Sequence, residues 1–168
     1  MSNEVERFVK EWDRETQNTL KLLRSLPEDK YDFRPDAGGR SLGELAWHLA
    51  EVDAYVTHGI ERGKVEPGVK PPNIERPRKI SELPARFQVV HDEAVARVRK
   101  LKPEDMTRTT LFFDGNPMPI NAQLWGAVLM HSIHHRGQLV LMCRLAGGMP
   151  PGIYGPTREQ MAAMRAQA

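Results

Sequence analysis

The chain has 168 residues, a length that favours one domain over two small ones. Its 24 basic and 22 acidic side chains give a formal charge of +2, which excludes a strong electrostatic attraction to nucleic acid or to an anionic membrane. The single cysteine, Cys143, excludes an intramolecular disulfide. No stretch of the sequence approaches the ~20 apolar residues that a membrane span requires. The N-terminal residues are charged and are unlike a signal peptide. We therefore expect one cytoplasmic domain over residues 1–168.

Two long helices are predicted in the first part of the chain. Apolar residues recur at three- and four-residue intervals from about Asn3 to Leu26, where a proline follows. A second helix is predicted over residues 41–63. Ser41 and Glu44 have the spacing of a capping box, in which each side chain bonds the other residue's backbone N–H.

A proline-rich connection follows the second helix. Residues 63–79 contain four prolines, too many for a helix. The excess of Lys and Arg there could face a substrate, but a solvated crossing loop is the simpler interpretation. A third helix is predicted over residues 81–101. After it, the turn Asp114-Gly115-Asn116 between short apolar runs predicts a small hairpin.

The last part of the chain predicts a fourth long helix over residues 121–146, ended by a Gly-Gly pair, and a short C-terminal helix capped at Thr157. Four long amphipathic helices with almost no strand pattern predict an all-α fold, a four-helix bundle. The long connection between the second and third helices allows those two to run parallel. Strand–helix alternation, a phosphate loop and a nucleophile elbow are all missing from the sequence.

Three of the six histidines lie within five positions of the predicted fourth helix, in "LMHSIHHRGQL", residues 129–139. His131 and His135 are four residues apart, so their side chains lie one turn apart on the same helix face. His134 lies about 100° around the helix from this face and is not predicted to be a primary ligand. On the second helix, His48 lies at the edge of the inward-facing arc.

These histidines have two interpretations. Three neutral imidazoles with open positions are a sufficient ligand set for a divalent metal in an active site. A lone inward histidine such as His48 is, however, commonly a hydrogen-bonded core residue, whereas an inward pair is costly to bury without a partner. From the pattern alone, metal binding and packing are about equally supported. Gln138, one turn beyond His135, could orient a ligand or substrate, or form a simple hydrogen bond.

Other polar residues have less specific interpretations. Tyr55 and Cys143 are expected to be core residues rather than reactive groups, and His91 borders the core face of the third helix as a spare ligand. Arg136 is predicted to point away from the metal face, where it bridges subunits or is solvated. Because the fourth helix is apolar nearly all round, we expect it to be buried on two sides, one of them by a second subunit in a two-fold homodimer.

The segments "SLGELAWHLAEVDAY", "HSIHHRGQL" and "GGMPPGIYGP" together resemble the DinB-like (YfiT-like) superfamily of metal-dependent helical bundles, and the resemblance covers nearly the whole chain. The metal triad of that family corresponds to His48, His131 and His135, the same three that helical geometry selects. The resemblance implies an up-down-down-up four-helix bundle, usually homodimeric, that binds nickel, zinc or another divalent ion. Characterised relatives include transferases that use bacillithiol or glutathione-like thiols, and a mycothiol-dependent isomerase.

The sequence and the resemblance together predict a metal-dependent thiol S-transferase that acts on a small-molecule substrate with a low-molecular-weight thiol. His48, His131 and His135 are the predicted metal ligands, and Gln138 is predicted to help bind the cofactor. Two alternatives remain: a non-enzymatic metal-binding or ligand-sensing bundle, and a metal-dependent hydrolase in which water replaces the thiol.

Overall fold

The computed structural model describes residues 3–167 and is almost entirely helical. The helices are α1 (Glu4–Leu23), α2 (Leu42–Arg62), α3 (Leu83–Val98), α4 (Ile120–Ala122), α5 (His131–Leu145) and α6 (Arg158–Ala166). A π-helical segment, Gln123–Met130, joins α4 to α5 without a break. Short 3-10 turns lie at Glu28–Lys30, Ile80–Glu82 and Pro103–Thr107. Strands β1 (Thr109–Leu111) and β2 (Pro117–Pro119) pair as an antiparallel hairpin.

The ends of α2 confirm the predicted capping signals. The Glu44 backbone N–H donates to Ser41 Oγ at 3.2 Å, and the Ser41 backbone N–H donates to Glu44 Oε2 at 2.8 Å, so two amides that the helix leaves free are satisfied. Gly63 ends the helix with φ of +82°, a left-handed conformation that costs glycine little. Ser41 therefore fixes where α2 begins, and with it the face on which His48 lies.

The connection between α2 and α3 is exposed at about half of its positions, as its composition predicts, but buried contacts also attach it to the rest of the protein. The Trp47 indole donates to the carbonyl of Ile74 at 3.1 Å, and the Tyr31 hydroxyl donates to the carbonyl of Pro77 at 2.6 Å. Ile74 and both aromatic side chains are buried. Because these buried donors require acceptors, they hold residues 63–79 against α2 even though several charged side chains of the segment face water.

The predicted hairpin is confirmed, and it is tied to its surroundings on two sides. The Val65 backbone N–H donates to the carbonyl of Leu111 at 2.8 Å, which attaches β1 to the start of the α2–α3 connection. On the other side, the buried Gln123 amide donates to Thr110 Oγ1 at 2.7 Å and to the Met118 carbonyl at 2.9 Å. The hairpin is therefore fixed relative to both α2 and the π-helical segment.

The π-helical segment is the main departure from the predicted fourth helix. A π-helix closes i→i+5 hydrogen bonds, and its apolar pattern resembles that of an α-helix. The spacing argument for His131 and His135 nevertheless holds, because regular α-helix resumes at His131 and contains both residues. The predicted helix ends are also displaced: α1 and α3 both end three residues earlier than expected, at Leu23 and Val98.

The core consists of two apolar clusters. One packs the C-terminal end of α1 against the first half of α2 and the end of α5, and the other packs the N-terminal end of α1 against the C-terminal ends of α2 and α3 and the π-helical segment. Buried polar side chains lie between them along α1, α2 and α3. His91 is central: its Nδ1 is 3.1 Å from Asp53 Oδ2, and its Nε2 is 3.0 Å from Asp13 Oδ1. His91 is thus a hydrogen-bonded core residue, not a spare metal ligand.

Arg136 is another of the buried polar side chains. The prediction that it is solvated or bridges subunits is wrong. Its side chain is 3% exposed, forms an ion pair with the buried Glu15 of α1, and donates from Nη1 to the Glu15 carbonyl at 2.7 Å. The Tyr154 hydroxyl bonds to both partners. An arginine so enclosed needs a carboxylate, and this pair fixes the rotation of α5 about its axis.

The all-α class is confirmed, while the up-down-down-up order of helix directions stays a prediction. The predicted C-terminal helix is also confirmed, with Thr157 Oγ1 accepting from the Gln160 backbone N–H at 3.3 Å. Over residues 3–167, none of the helices has the length and apolar character that crossing a bilayer would need.

Candidate metal centre

His48, His131 and His135 come together where α2 faces the beginning of α5. One ring nitrogen from each lies within 4.8 Å of the others, and the Nε2 atoms of His48 and His131 are 3.4 Å apart. The ring centroids of His131 and His135 are 4.4 Å apart, as expected for side chains one turn apart on a helix. The cluster is not sealed in the core: His131 is exposed, and the other two rings are partly exposed.

Two of the three imidazoles have their other nitrogen held by an acceptor. His48 Nδ1 is 3.2 Å from Glu51 Oε2, and His135 Nδ1 is 2.7 Å from Gln138 Oε1. A carboxylate can only accept, so Glu51 favours the tautomer of His48 that carries its proton on Nδ1. The Gln138 amide nitrogen lies 3.1 Å from His134 Nε2, which leaves the amide oxygen for His135. In both rings the Nε2 lone pair remains available.

Glu51 is in turn held by the α2–α3 connection. Arg76 Nη2 lies 3.1 Å from Glu51 Oε1, and Arg76 Nη1 lies 3.4 Å from Glu44 Oε1. Burial alone would raise the pKa of Glu51, but hydrogen bonds from His48 and Arg76 lower it below its usual value. Sequence analysis missed Glu51 and Arg76. The available signal was that Glu51 follows His48 by three residues and so shares its side of α2.

His131 and His135 are in the neutral form in which an imidazole binds a metal ion. Burial, with repulsion from the neighbouring rings of His135 and His48, lowers the pKa of His131 to about 4. Burial also lowers the pKa of His135, against the hydrogen bond to Gln138, which raises it. Both rings are therefore neutral near pH 7, and a neutral imidazole can donate its lone pair without first losing a proton.

A cavity of about 460 Å³ lies beside the histidine cluster. It is bounded by α2, by the start of the α2–α3 connection, by the residues that follow β1 and by the π-helical segment. The side chains of His48 and His131 form part of its wall. A volume of this size is typical of sites for small molecules, and a molecule bound there would lie next to the imidazoles.

The remaining residues singled out in the sequence lie outside the cluster or at its edge. His134 contacts Gln138 and is not one of the clustered nitrogens, as predicted. Cys143 is buried, with its thiol 3.7 Å from the Ser25 carbonyl, which confirms a core role. Tyr55 packs on the core but also lines the cavity, so the expectation of a purely core residue was incomplete.

An all-α chain that brings an i, i+4 histidine pair and a third histidine to the edge of an open cavity is a candidate metal-site helical protein. Comparison with known families defines it further. The model of the DinB superfamily matches residues 11–139, a range that contains all three histidines, and the chain belongs to this superfamily.

Individual relatives resemble this chain over nearly its full length. The chain is 29% identical to the uncharacterized protein YrdA of Bacillus subtilis (strain 168) over 169 aligned positions, which cover 96% of this chain and 95% of that protein. It resembles the crystal structure of a DinB-like protein from Bacillus cereus ATCC 10987, with a TM-score of 0.72, 28% identity and coverage of 89% and 97% of the two chains. For the DinB-like protein YjoA of Bacillus subtilis the TM-score is 0.71, the identity 20% and the coverage 90% and 99%, a likeness of fold.

Proposed function

We propose that His48, His131 and His135 bind a divalent metal ion, nickel or zinc, and that the protein is a metal-dependent transferase acting with a low-molecular-weight thiol. The observation that carries this proposal is the convergence of three imidazole nitrogens, two of them from residues that line an open cavity. Family membership adds support for the metal, because a three-histidine site is the feature on which the resemblance rests.

The donor set fits such an ion. Two nitrogen ligands at about 2.0–2.1 Å from a tetrahedral zinc lie about 3.4 Å apart. The Nε2 atoms of His48 and His131 have this separation, 3.4 Å. The acceptors on His48 and His135, Glu51 and Gln138, are the kind of outer partner that fixes the tautomer and orientation of metal-binding histidines. We therefore assign Gln138 to the metal site through His135, rather than to direct contact with a substrate.

In the proposed reaction the sulfur of the thiol forms a bond to an electrophilic carbon of the second substrate. The leaving group departs with its bonding electrons, and the thiol proton passes to solvent. His48, His131 and His135 would hold the divalent ion, which when bound would supply Lewis acidity that lowers the pKa of a thiol. Glu51 and Gln138 hold two rings in the productive tautomer.

Two alternatives differ in what occupies the cavity. A bundle that only binds metal needs no space for a small molecule, so the cavity of about 460 Å³ beside the cluster favours an enzyme or a ligand sensor over it. A metal-dependent hydrolase would use the same histidines with water in place of the thiol. The helices are proposed to form an up-down-down-up four-helix bundle in a cytoplasmic protein.

We also propose that the protein is a homodimer. The outer face of the last long helix carries Met130, Leu141 and Leu145, which are 65%, 59% and 56% exposed, and α6 adds Met164, which is 59% exposed. Large apolar side chains grouped in this way are typical of a surface that another chain covers.

Metal content tests the proposal directly. Elemental analysis is made on the purified wild type, on the double variant His131→Ala/His135→Ala and on His58→Ala, which removes a histidine of α2 outside the cluster. We expect about one ion per chain in the wild type and in His58→Ala, and loss of the ion in the double variant. Equal metal in all three proteins would overturn the ligand assignment. The loaded protein is then screened for thiol conjugation, and metal binding with no turnover on a broad panel would favour the binding-protein alternative.

A further inference from the structure

The cavity beside the histidines is lined by both apolar and polar side chains. Its apolar lining includes Val52 and Val56 of α2 and also Phe112 and Phe113, which follow β1. The rings of Phe112 and Phe113 pack edge to face at 4.8 Å, and Phe113 is 47% exposed. A ligand placed against them would remove apolar surface from water, which favours a ligand with an apolar body.

The lining contains two ionisable side chains besides the histidines, Glu51 and the exposed Arg40, and of these only Glu51 has a charged partner in the protein. Glu51 receives hydrogen bonds from His48 and from Arg76, so its negative charge is matched within the protein. Arg40, the residue just before the N-cap of α2, also lines the cavity. Within residues 3–167 no carboxylate lies within ion-pair distance of Arg40. The cavity therefore presents one unmatched positive charge.

We propose that this cavity binds a small molecule with an apolar body and a carboxylate, and that Arg40 is the residue that recognises the carboxylate. The planar guanidinium matches a carboxylate through two parallel hydrogen bonds, a pairing that gives orientation as well as affinity. With the carboxylate on Arg40, the apolar body lies along Phe112 and Phe113, beside His131.

This inference deepens the proposed function, on which it rests for the role of the ligand. In the transferase the molecule is the electrophilic acceptor, not the thiol, because small thiol cosubstrates are strongly polar and gain little from the apolar wall. The thiol is placed at the histidines, and Arg40 fixes the acceptor.

A matched pair of probes tests the charge preference. Binding of 3-phenylpropionate and of its uncharged amide, 3-phenylpropanamide, is measured by calorimetry on the full-length protein, on Arg40→Gln and on Arg99→Gln. Arg99 is an exposed arginine of similar type at the end of α3, outside the cavity. Because Arg40 is exposed and solvent screens its charge, the carboxylate should bind about threefold to tenfold more tightly than the amide.

Binding of the same two probes to three variants shows which residue causes the preference. Arg40→Gln is expected to abolish the preference for the carboxylate probe, because it weakens the binding of 3-phenylpropionate and not that of the amide. Arg99→Gln is expected to keep this preference. Phe113→Ala is expected to weaken both probes by the same factor, because it removes apolar contact common to both. The inference is overturned if the wild type binds neither probe, or if Arg40→Gln binds both as the wild type does.

Two further arms separate this inference from the proposed function. The titrations are repeated after removal of metal with a chelator: an Arg40-dependent preference that survives supports the inference even if the metal assignment fails, and a preference present only with metal overturns it. N-acetylcysteine and N-acetylcysteine amide form the second pair. If Arg40→Gln changes the preference for this thiol pair and not for the phenyl pair, Arg40 recognises the thiol and the acceptor assignment is wrong.

Discussion

Glu51 Oε2 lies 3.2 Å from His48 Nδ1, and the second oxygen of the same carboxylate lies 3.1 Å from Arg76. The proline-rich connection, which carries Arg76, is thereby linked through one carboxylate to the histidine cluster. In proteins such an outer acceptor raises the basicity of a metal-binding imidazole and fixes its tautomer. The folding of residues 63–79 against α2 therefore helps to position His48.

Removal of the acceptor on His48 should weaken metal binding. We expect Glu51→Ala to bind the ion about tenfold to a hundredfold less tightly, because His48 loses the carboxylate that holds its ring. The measurement is a competition titration against a chromophoric chelator. Glu61→Ala, a carboxylate on α2 beside His58, is the control and should bind metal as the wild type does. Identical affinities for both variants would contradict the role given to Glu51.

Gln138 offers a second test on the other helix. Gln138→Ala removes the acceptor from His135 Nδ1, and we expect about tenfold weaker metal binding in the same titration. Gln138→Glu keeps an acceptor oxygen at this position and should restore most of the affinity. If Gln138→Glu binds no better than Gln138→Ala, the amide oxygen is not what holds the ring of His135.

Much of this site follows from local patterns. The i, i+4 spacing of His131 and His135 depends only on helix geometry, and the capping box at Ser41 fixes the register of α2 that carries His48. Such features are set by residues close together in sequence. The convergence of His48 with the α5 pair required the packing of two distant helices, and sequence analysis reached it by combining helical faces with the family resemblance.

What sequence analysis missed involves contacts between distant segments. Arg136 was expected to be solvated because its charge is visible in the sequence and its partner is not: Glu15 is 121 residues away. Arg76 appeared to be one more charge in a basic loop, and Arg40 belongs to no sequence motif that would have indicated a role. The π-helical segment was hidden because i→i+5 bonding leaves no distinctive composition in "QLWGAVLM".

Loss of Arg136 should destabilise the fold far more than loss of an exposed arginine. Arg136→Met leaves the buried Glu15 with only the exposed Arg14, 3.5 Å away, as counter-ion, and breaking a buried ion pair costs about 3–5 kcal/mol in the free energy of unfolding. Arg144→Met removes an ion pair with Glu159 whose partners are 26% and 41% exposed, and exposed pairs contribute less than about 1 kcal/mol. Urea unfolding at pH 7 measures both. A similar loss in the two variants would contradict the structural role of the buried pair.

The proposed dimer can be tested on its apolar face. Leu141→Glu/Leu145→Glu places two charges among the exposed apolar side chains and should convert the dimer to a folded monomer. Light scattering after size exclusion gives the mass, and circular dichroism reports the fold. Val89→Glu, an equally exposed apolar position on α3, is the control and should remain dimeric. A wild type that is already monomeric would refute the proposal.

The stability of the protein should depend on pH through His91. Burial alone would lower the pKa of this ring, but hydrogen bonds to Asp53 and Asp13 raise it above 6.5. A raised pKa in the folded state means that the charged ring contributes stability fully below about pH 6.5 and loses that contribution as pH rises through the folded-state value. The free energy of unfolding should therefore fall as the pH rises above about 6.5. Asp13→Asn removes the carboxylate that is 48% exposed and should move the decline to lower pH, whereas Asp92→Asn, an exposed carboxylate next to His91 in sequence, should leave it in place. Coincident pH profiles for the wild type and Asp13→Asn would mean that Asp13 does not stabilise the charged ring.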